Sequence, residues 1–142
     1  MRGVAATLTL ALSVSAAQAD GFCDTLDALS AAAGDPDAGD VSVLFPDGMA
    51  TEAPCQAVLE LGGIRSLSCN WSFDYRASEA QVAFEALATA VTACAGDPVA
   101  VDAPVNHPDT YDLLSFEGGI STALKDKANL GETLVILRVQ AS

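Results

Sequence analysis

Cys55 and Cys69 flank a glycine pair, Gly62-Gly63, in a stretch whose apolar residues alternate with polar ones, Val58 excepted. On one side Cys55, Ala57, Leu59 and Leu61 alternate with Gln56, Val58 and Glu60. On the other, Leu67, Cys69, Trp71, Phe73 and Tyr75 alternate with Ser66, Ser68, Asn70, Ser72 and Asp74. A period of two on both arms of a glycine turn predicts a β-hairpin with one buried face. Parity then restricts the register. Matching the two apolar faces requires facing residue numbers with an even sum, because a one-residue slip turns every side chain over. A turn centred on Gly62 gives 124 and sets Cys55 opposite Cys69. A two-residue Gly62-Gly63 turn would oppose an apolar face to a polar one, so a three-residue loop or a bulge is expected.

The flanking segments supply helices and further strands. Phe22, Leu26, Leu29 and Ala33 recur at helical spacing, with Asp20 or Asp24 available as a cap and Gly34 after the last periodic position, which predicts a helix over 22–33. A loop rich in Gly, Pro and Asp follows over 34–40, then a short strand over 41–45 and a turn at Pro46-Asp47-Gly48. Ser78-Glu79-Ala80-Gln81 has the form of a capping box, and Phe84, Leu87, Val91 and Cys94 place one apolar stripe on the helix it opens, with Gly96 and Pro98 as the stop. Beyond a linker holding Pro98, Pro104 and Pro108, residues 111–117 and 120–126 flank Gly118-Gly119 as a second hairpin. Residues 133–140 form a strand apolar enough to be central in its sheet. The expected architecture is α+β, two helices packed on an antiparallel sheet of five or six strands in the order α-β-β-β-α-β-β-β. That order resembles the type III secretion chaperone-like fold; the resemblance covers element order alone and carries no function with it.

Compartment is legible at the start of the chain. Arg2, an apolar run over 4–17 and Ala17-Gln18-Ala19 have the form of a secretory signal with its cleavage site. The run is shorter than the ~18 to 20 residues that span a bilayer. Residues 1–19 are therefore expected to be removed, leaving a single exported domain over 20–142, periplasmic or extracellular, without stable membrane insertion. In an oxidising compartment the four cysteines are expected as two disulfides. The hairpin register favours Cys55–Cys69, and Cys23 then pairs with Cys94 if the two helices lie antiparallel.

Charge narrows the partners. Six Lys and Arg stand against 19 Asp and Glu, a formal net charge of -13. Loss of Arg2 with the signal leaves 5 - 19 = -14. Such a chain is repelled by nucleic acid and attracted to basic proteins. Asp35, Asp37 and Asp40, with Asp102, Asp109 and Asp112, are the acidic groups expected to meet a basic partner.

Chemistry-bearing residues are few. His107, the single histidine, lies in Asn106-His107-Pro108-Asp109-Thr110-Tyr111-Asp112. It offers one catalytic alternative, a small hydrolase with His107 as general base beside Asp109, but no nucleophile motif accompanies it. Turn-shaping by Asn, His-Pro and Asp on the approach to a strand is favoured instead. Asp35-x-Asp37-x-Gly39-Asp40 has the spacing of a calcium loop's first ligands, yet Gly takes the fifth place and Pro46 stands where the bidentate Glu belongs, so a solvated turn is expected. Asn70-Trp71-Ser72 matches a glycosylation sequon. Lys125-Asp126-Lys127, at the end of a hairpin strand, could hold an anionic group, and a solubilising, edge-protecting cluster explains it equally well. No cofactor and no metal are expected, and the favoured function is a non-catalytic binding or structural module.

Overall fold

The computed structural model describes the backbone of residues 9–46 and 52–142, and side chains from Gly21 onward. The first eight residues of the expected signal lie outside the described residues, as do Asp47 and Gly48 of the expected turn. Among the described residues the order is α1 (Thr9–Ala33), β1 (Val41–Val43), β2 (Ala53–Leu59), β3 (Arg65–Asp74), α2 (Ser78–Ala95), β4 (Ala100–Asp102), β5 (Tyr111–Phe116), β6 (Ile120–Lys127) and β7 (Glu132–Gln140). All seven strands join one antiparallel sheet in the order β1-β2-β3-β7-β6-β5-β4. The class is the expected α+β, with seven strands rather than five or six. The addition is β4, three residues between Pro98 and Pro104 that are too short to show a period.

The topology consists of two meanders. Strands β1 to β3 form one; α2 then carries the chain to the far edge, and β4 to β7 return until β7 pairs with β3. The apolar run over 133–140 is thereby the middle strand, as its composition predicts. Both helices lie on one face, α1 against β3 and β7, α2 mainly against β6 and β7. Between helices and sheet sit Phe22, Leu26 and Leu29 from α1, Phe84, Leu87 and Val91 from α2, and Leu67, Trp71, Val135 and Leu137 from the strands. Phe45 meets Trp71 edge to face, with centroids 5.1 Å apart, the geometry that aromatic quadrupoles favour.

The parity argument holds. Cys55 faces Cys69, and the Glu60 N–H donates to the Ile64 carbonyl at 2.8 Å, closing a three-residue loop. Gly62 and Gly63 have φ of 83° and 81°, a region in which a side chain would clash with its own backbone. Disulfides join Cys55 to Cys69, with Cα atoms 4.1 Å apart, and Cys23 to Cys94, with Cα atoms 5.4 Å apart. Both are compatible with an oxidising compartment.

Several local expectations are corrected. α1 is described from Thr9, so Asp20 and Asp24 lie within the helix and not at its start. α2 has Ala77 as its N-cap and no side-chain cap bond. Ser78 is already helical, so its hydroxyl contacts the Glu79 carboxylate at 3.4 Å instead of forming the capping box with Gln81. On β2 only Ala53 and Cys55 receive cover from the helical layer; Ala57 is exposed, as are Leu59 and, in the turn, Leu61. The hairpin extends past the helices, so alternation persists where burial ends. Lys125-Asp126-Lys127 is not at an edge either, since β6 lies between β5 and β7.

Candidate functional site: the uncovered face of the sheet

Register assigns the side chains to faces. On β7, Thr133, Val135, Leu137 and Val139 point toward the helices, and Leu134, Ile136 and Arg138 point away, with Gln140 beyond them. Their partners on β6 that point away are Ser121, Ala123, Lys125 and Lys127, and on β5 Tyr111, Leu113 and Ser115. Among the described residues two helices cover one side of a seven-stranded sheet and no layer covers the other, which keeps apolar residues in its middle. Across β5, β6 and β7 this face holds an open groove of about 310 Å³. Its apolar floor includes Leu113, Ala123 and Ile136; Glu60, Arg138 and Gln140 stand at one end and Tyr111 at the other.

The same face carries half of the chain's basic residues. Of the six basic residues, Lys125, Lys127 and Arg138 lie on this face. Lys125 sits 4.6 Å from the centre of the Tyr111 ring, within cation–π range. Arg138 reaches the Glu60 carboxylate at 3.6 Å, an ion pair too long for a hydrogen bond. Gln140 Nε2 donates to the other Glu60 oxygen at 3.4 Å. The Arg138 Nε and the Ser66 hydroxyl are both buried and find no hydrogen-bond partner among the described residues. Ser66 faces Gln140 on β7, which makes it a diagonal neighbour of Arg138 on the same face. Arg138 therefore has donor capacity that the protein leaves largely unused.

A second polar cluster lies at the far end of the sheet, on the helix side. Asp126, 4% exposed, accepts from the Thr133 hydroxyl at 2.7 Å, from Arg76 Nε at 3.2 Å and from the Thr110 N–H at 3.3 Å. The Thr133 hydroxyl in turn accepts the Arg76 N–H at 2.8 Å, and Arg76 holds a φ of 57°. A hollow of about 360 Å³ opens beside Ser78, Gln81 and Asp126. The carboxylate at its wall is engaged by the protein's own donors from three segments, an arrangement that ties strands and loop together.

The residues singled out from sequence separate. His107 is exposed, while Asp109 accepts from Tyr75 Oη at 2.6 Å and from the Ala128 N–H at 3.1 Å. Both Asp109 oxygens are thus directed away from acid-base work with the histidine. The Tyr75 bond, reinforced by the Ala128 N–H, holds the Asp109 carboxyl below the usual carboxylate range. The same bond raises Tyr75 above the usual phenol value. Asn106 Nδ2 donates to the Asp126 carbonyl at 3.2 Å, so 106–109 does serve as a strand-approach turn.

Asp35, Asp37 and Asp40 are exposed beside edge strand β1, whereas Asp102, Asp109 and Asp112 lie on or beside β4 and β5 at the opposite edge. Six interstrand spacings of ~4.8 Å put the two edges about 29 Å apart. Asp35 Oδ1 accepts the Asp37 N–H at 2.9 Å. Among the described residues no group of three His, Cys, Asp or Glu is placed to hold a metal ion, and no helix is long and apolar enough to cross a membrane. Asn70 of the sequon is exposed on the uncovered face.

Sequence reasoning passed over Arg138 and Ile136. Their signal was present: the last strand is apolar on both faces, and two helices can cover only one. Comparison with protein-family models, curated proteins and solved structures finds no match.

Proposed function

We propose that this chain is a small acidic binding module, exported and non-catalytic, working in the periplasm or outside the cell after removal of residues 1–19. The observation that carries the reading is the one-sided covering of the sheet, which leaves a groove with an apolar floor and polar ends, the usual composition of a binding site. The engagement of Asp109 by Tyr75 and Ala128 weighs against the His107 hydrolase. A net charge of -14 favours a basic protein as macromolecular partner and disfavours nucleic acid.

The two acidic edges lie farther apart than the ~8 Å screening length at physiological ionic strength, so each acts on a partner independently. Capture from the native exported fraction with residues 20–142, followed by association kinetics at rising salt, tests this reading. The on-rate should fall with salt, and Asp→Asn changes at 35, 37 and 40 or at 102 and 112 should lower it more than they raise the off-rate. His107→Ala should leave binding intact. A hydrolytic activity of the purified protein that disappears in His107→Ala would refute the non-catalytic reading. Intact mass beginning at Met1 in the exported fraction would refute the processing.

A further inference from the structure

The groove lies on a face that carries three of the six basic residues of a strongly acidic protein, with Asp74 and Glu132 on the same face and Glu60 at the groove's end. Arg138 marks one end and the Lys125–Tyr111 pair the other. In the register, Arg138 faces Ser121 and Lys125 lies four residues further along β6, so the two cations are separated by roughly 13 Å of strand. Apolar floor lies between them. Such a layout fits an elongated molecule with an apolar body and a negative end. We propose that the groove binds a small organic carboxylate, its carboxylate paired with Arg138 and its apolar body lying on Leu113, Ala123 and Ile136 toward Tyr111.

The present state of Arg138 is what makes it the seat of the anion. Its only acidic contact among the described residues, Glu60 at 3.6 Å, lies beyond hydrogen-bond range, and both side chains keep some exposure, 38% for Arg138 and 26% for Glu60. Exchanging one carboxylate for another therefore sacrifices little. A ligand carboxylate at bonding distance would gain charge-assisted hydrogen bonds that Glu60 does not make. A rotation of the guanidinium would also give the unpartnered Nε an acceptor. Glu60 then acts as an internal competitor. A carboxylate is favoured over a neutral amphiphile because the latter would leave the Arg138–Glu60 contact as it is and gain only burial.

This inference rests on the uncovered face being a binding surface, but not on the acidic edges or their partner. The probes are octanoate and its neutral counterpart 1-octanol, titrated calorimetrically into the purified, disulfide-intact protein. Octanoate should bind about tenfold or more tightly than octanol, the difference of one strong charge-assisted contact. Arg138→Gln should erase that preference, and Glu60→Gln, which removes the competing charge at nearly the same shape, should strengthen octanoate binding at an unchanged melting temperature. Equal affinity for the two probes, an unchanged preference in Arg138→Gln at an unchanged melting temperature, or weaker octanoate binding in Glu60→Gln would overturn the proposal. Failure of octanoate to bind would overturn it too, while salt-dependent capture of a basic protein would stand.

Discussion

Replacing Asp126 separates a structural cluster from a functional one. In Asp126→Ala three donors lose their acceptor, and they are not equal. The Thr133 hydroxyl is 1% exposed and cannot turn to water, so orphaning it costs about 1 to 3 kcal/mol. The Thr110 N–H belongs to an exposed residue and rehydrates, forfeiting only the net value of a bond, about 0.5 to 1.5 kcal/mol. Arg76 is 53% exposed, so its ion pair is discounted to about 0 to 1 kcal/mol. Together they give a loss of roughly 2 to 5 kcal/mol, while Asp126→Asn, which keeps a carbonyl for Thr133, should lose about 1 to 2. Urea unfolding followed through Trp71, the single tryptophan, reads the midpoint, and an unchanged slope shows that stability alone has moved. Asp126 and Thr133 face each other in the register, so a double-mutant cycle with Thr133→Val should give a coupling of at least ~1 kcal/mol. A loss below ~1 kcal/mol for Asp126→Ala, or coupling near zero, would mean that the carboxylate is not holding strands and loop together. The hollow beside it would then deserve a functional reading.

Three further outcomes follow from the same structure. Removing Cys23–Cys94, with 71 residues of separation, should destabilise by about 4 kcal/mol and removing Cys55–Cys69, with 14, by about 3, because the longer bridge restricts the unfolded chain more; paired Cys→Ala variants in chemical unfolding would contradict this if the short bridge proved the costlier loss. Trp71→Ala should cost roughly 3 to 5 kcal/mol by circular dichroism melts, since the ring is 3% exposed against Phe45, and a loss under ~1 would contradict the packing. The Tyr75–Asp109 bond needs a neutral phenol and a charged carboxylate: the lowered Asp109 value gives stability present above its ordinary 3.8 and lost as pH falls through the folded value, and the raised Tyr75 value gives stability present below 10.0 and lost as pH rises through its own. The stability difference between wild type and Tyr75→Phe should accordingly be greatest between those limits and shrink at both extremes, and a difference flat across pH would show that the bond does not form.

The chain's own pattern determined whatever depends on neighbours in sequence. Alternation and parity around Gly62 were enough to set the Cys55–Cys69 register, because a two-residue period leaves no other way to match the faces. The stripe through Phe84, Leu87 and Val91 placed α2 on the core for the same kind of reason, and the apolar last strand identified the middle of the sheet. What these patterns report is which face is apolar, and not whether another layer reaches it. Ala57, Leu59 and Leu61 continue the hairpin's alternation into solvent because α1 and α2 do not extend over that end. Asp126, apparently one charge in a surface cluster, is buried because Arg76, Thr110 and Thr133 converge on it from segments far apart in sequence. The groove at Ile136 and Arg138, and the division of the acidic residues between two edges, depend on strand order. Strand order is set by long-range pairing, where α2 delivers β4 to the far edge and β7 returns beside β3, and no local period encodes which strands will meet.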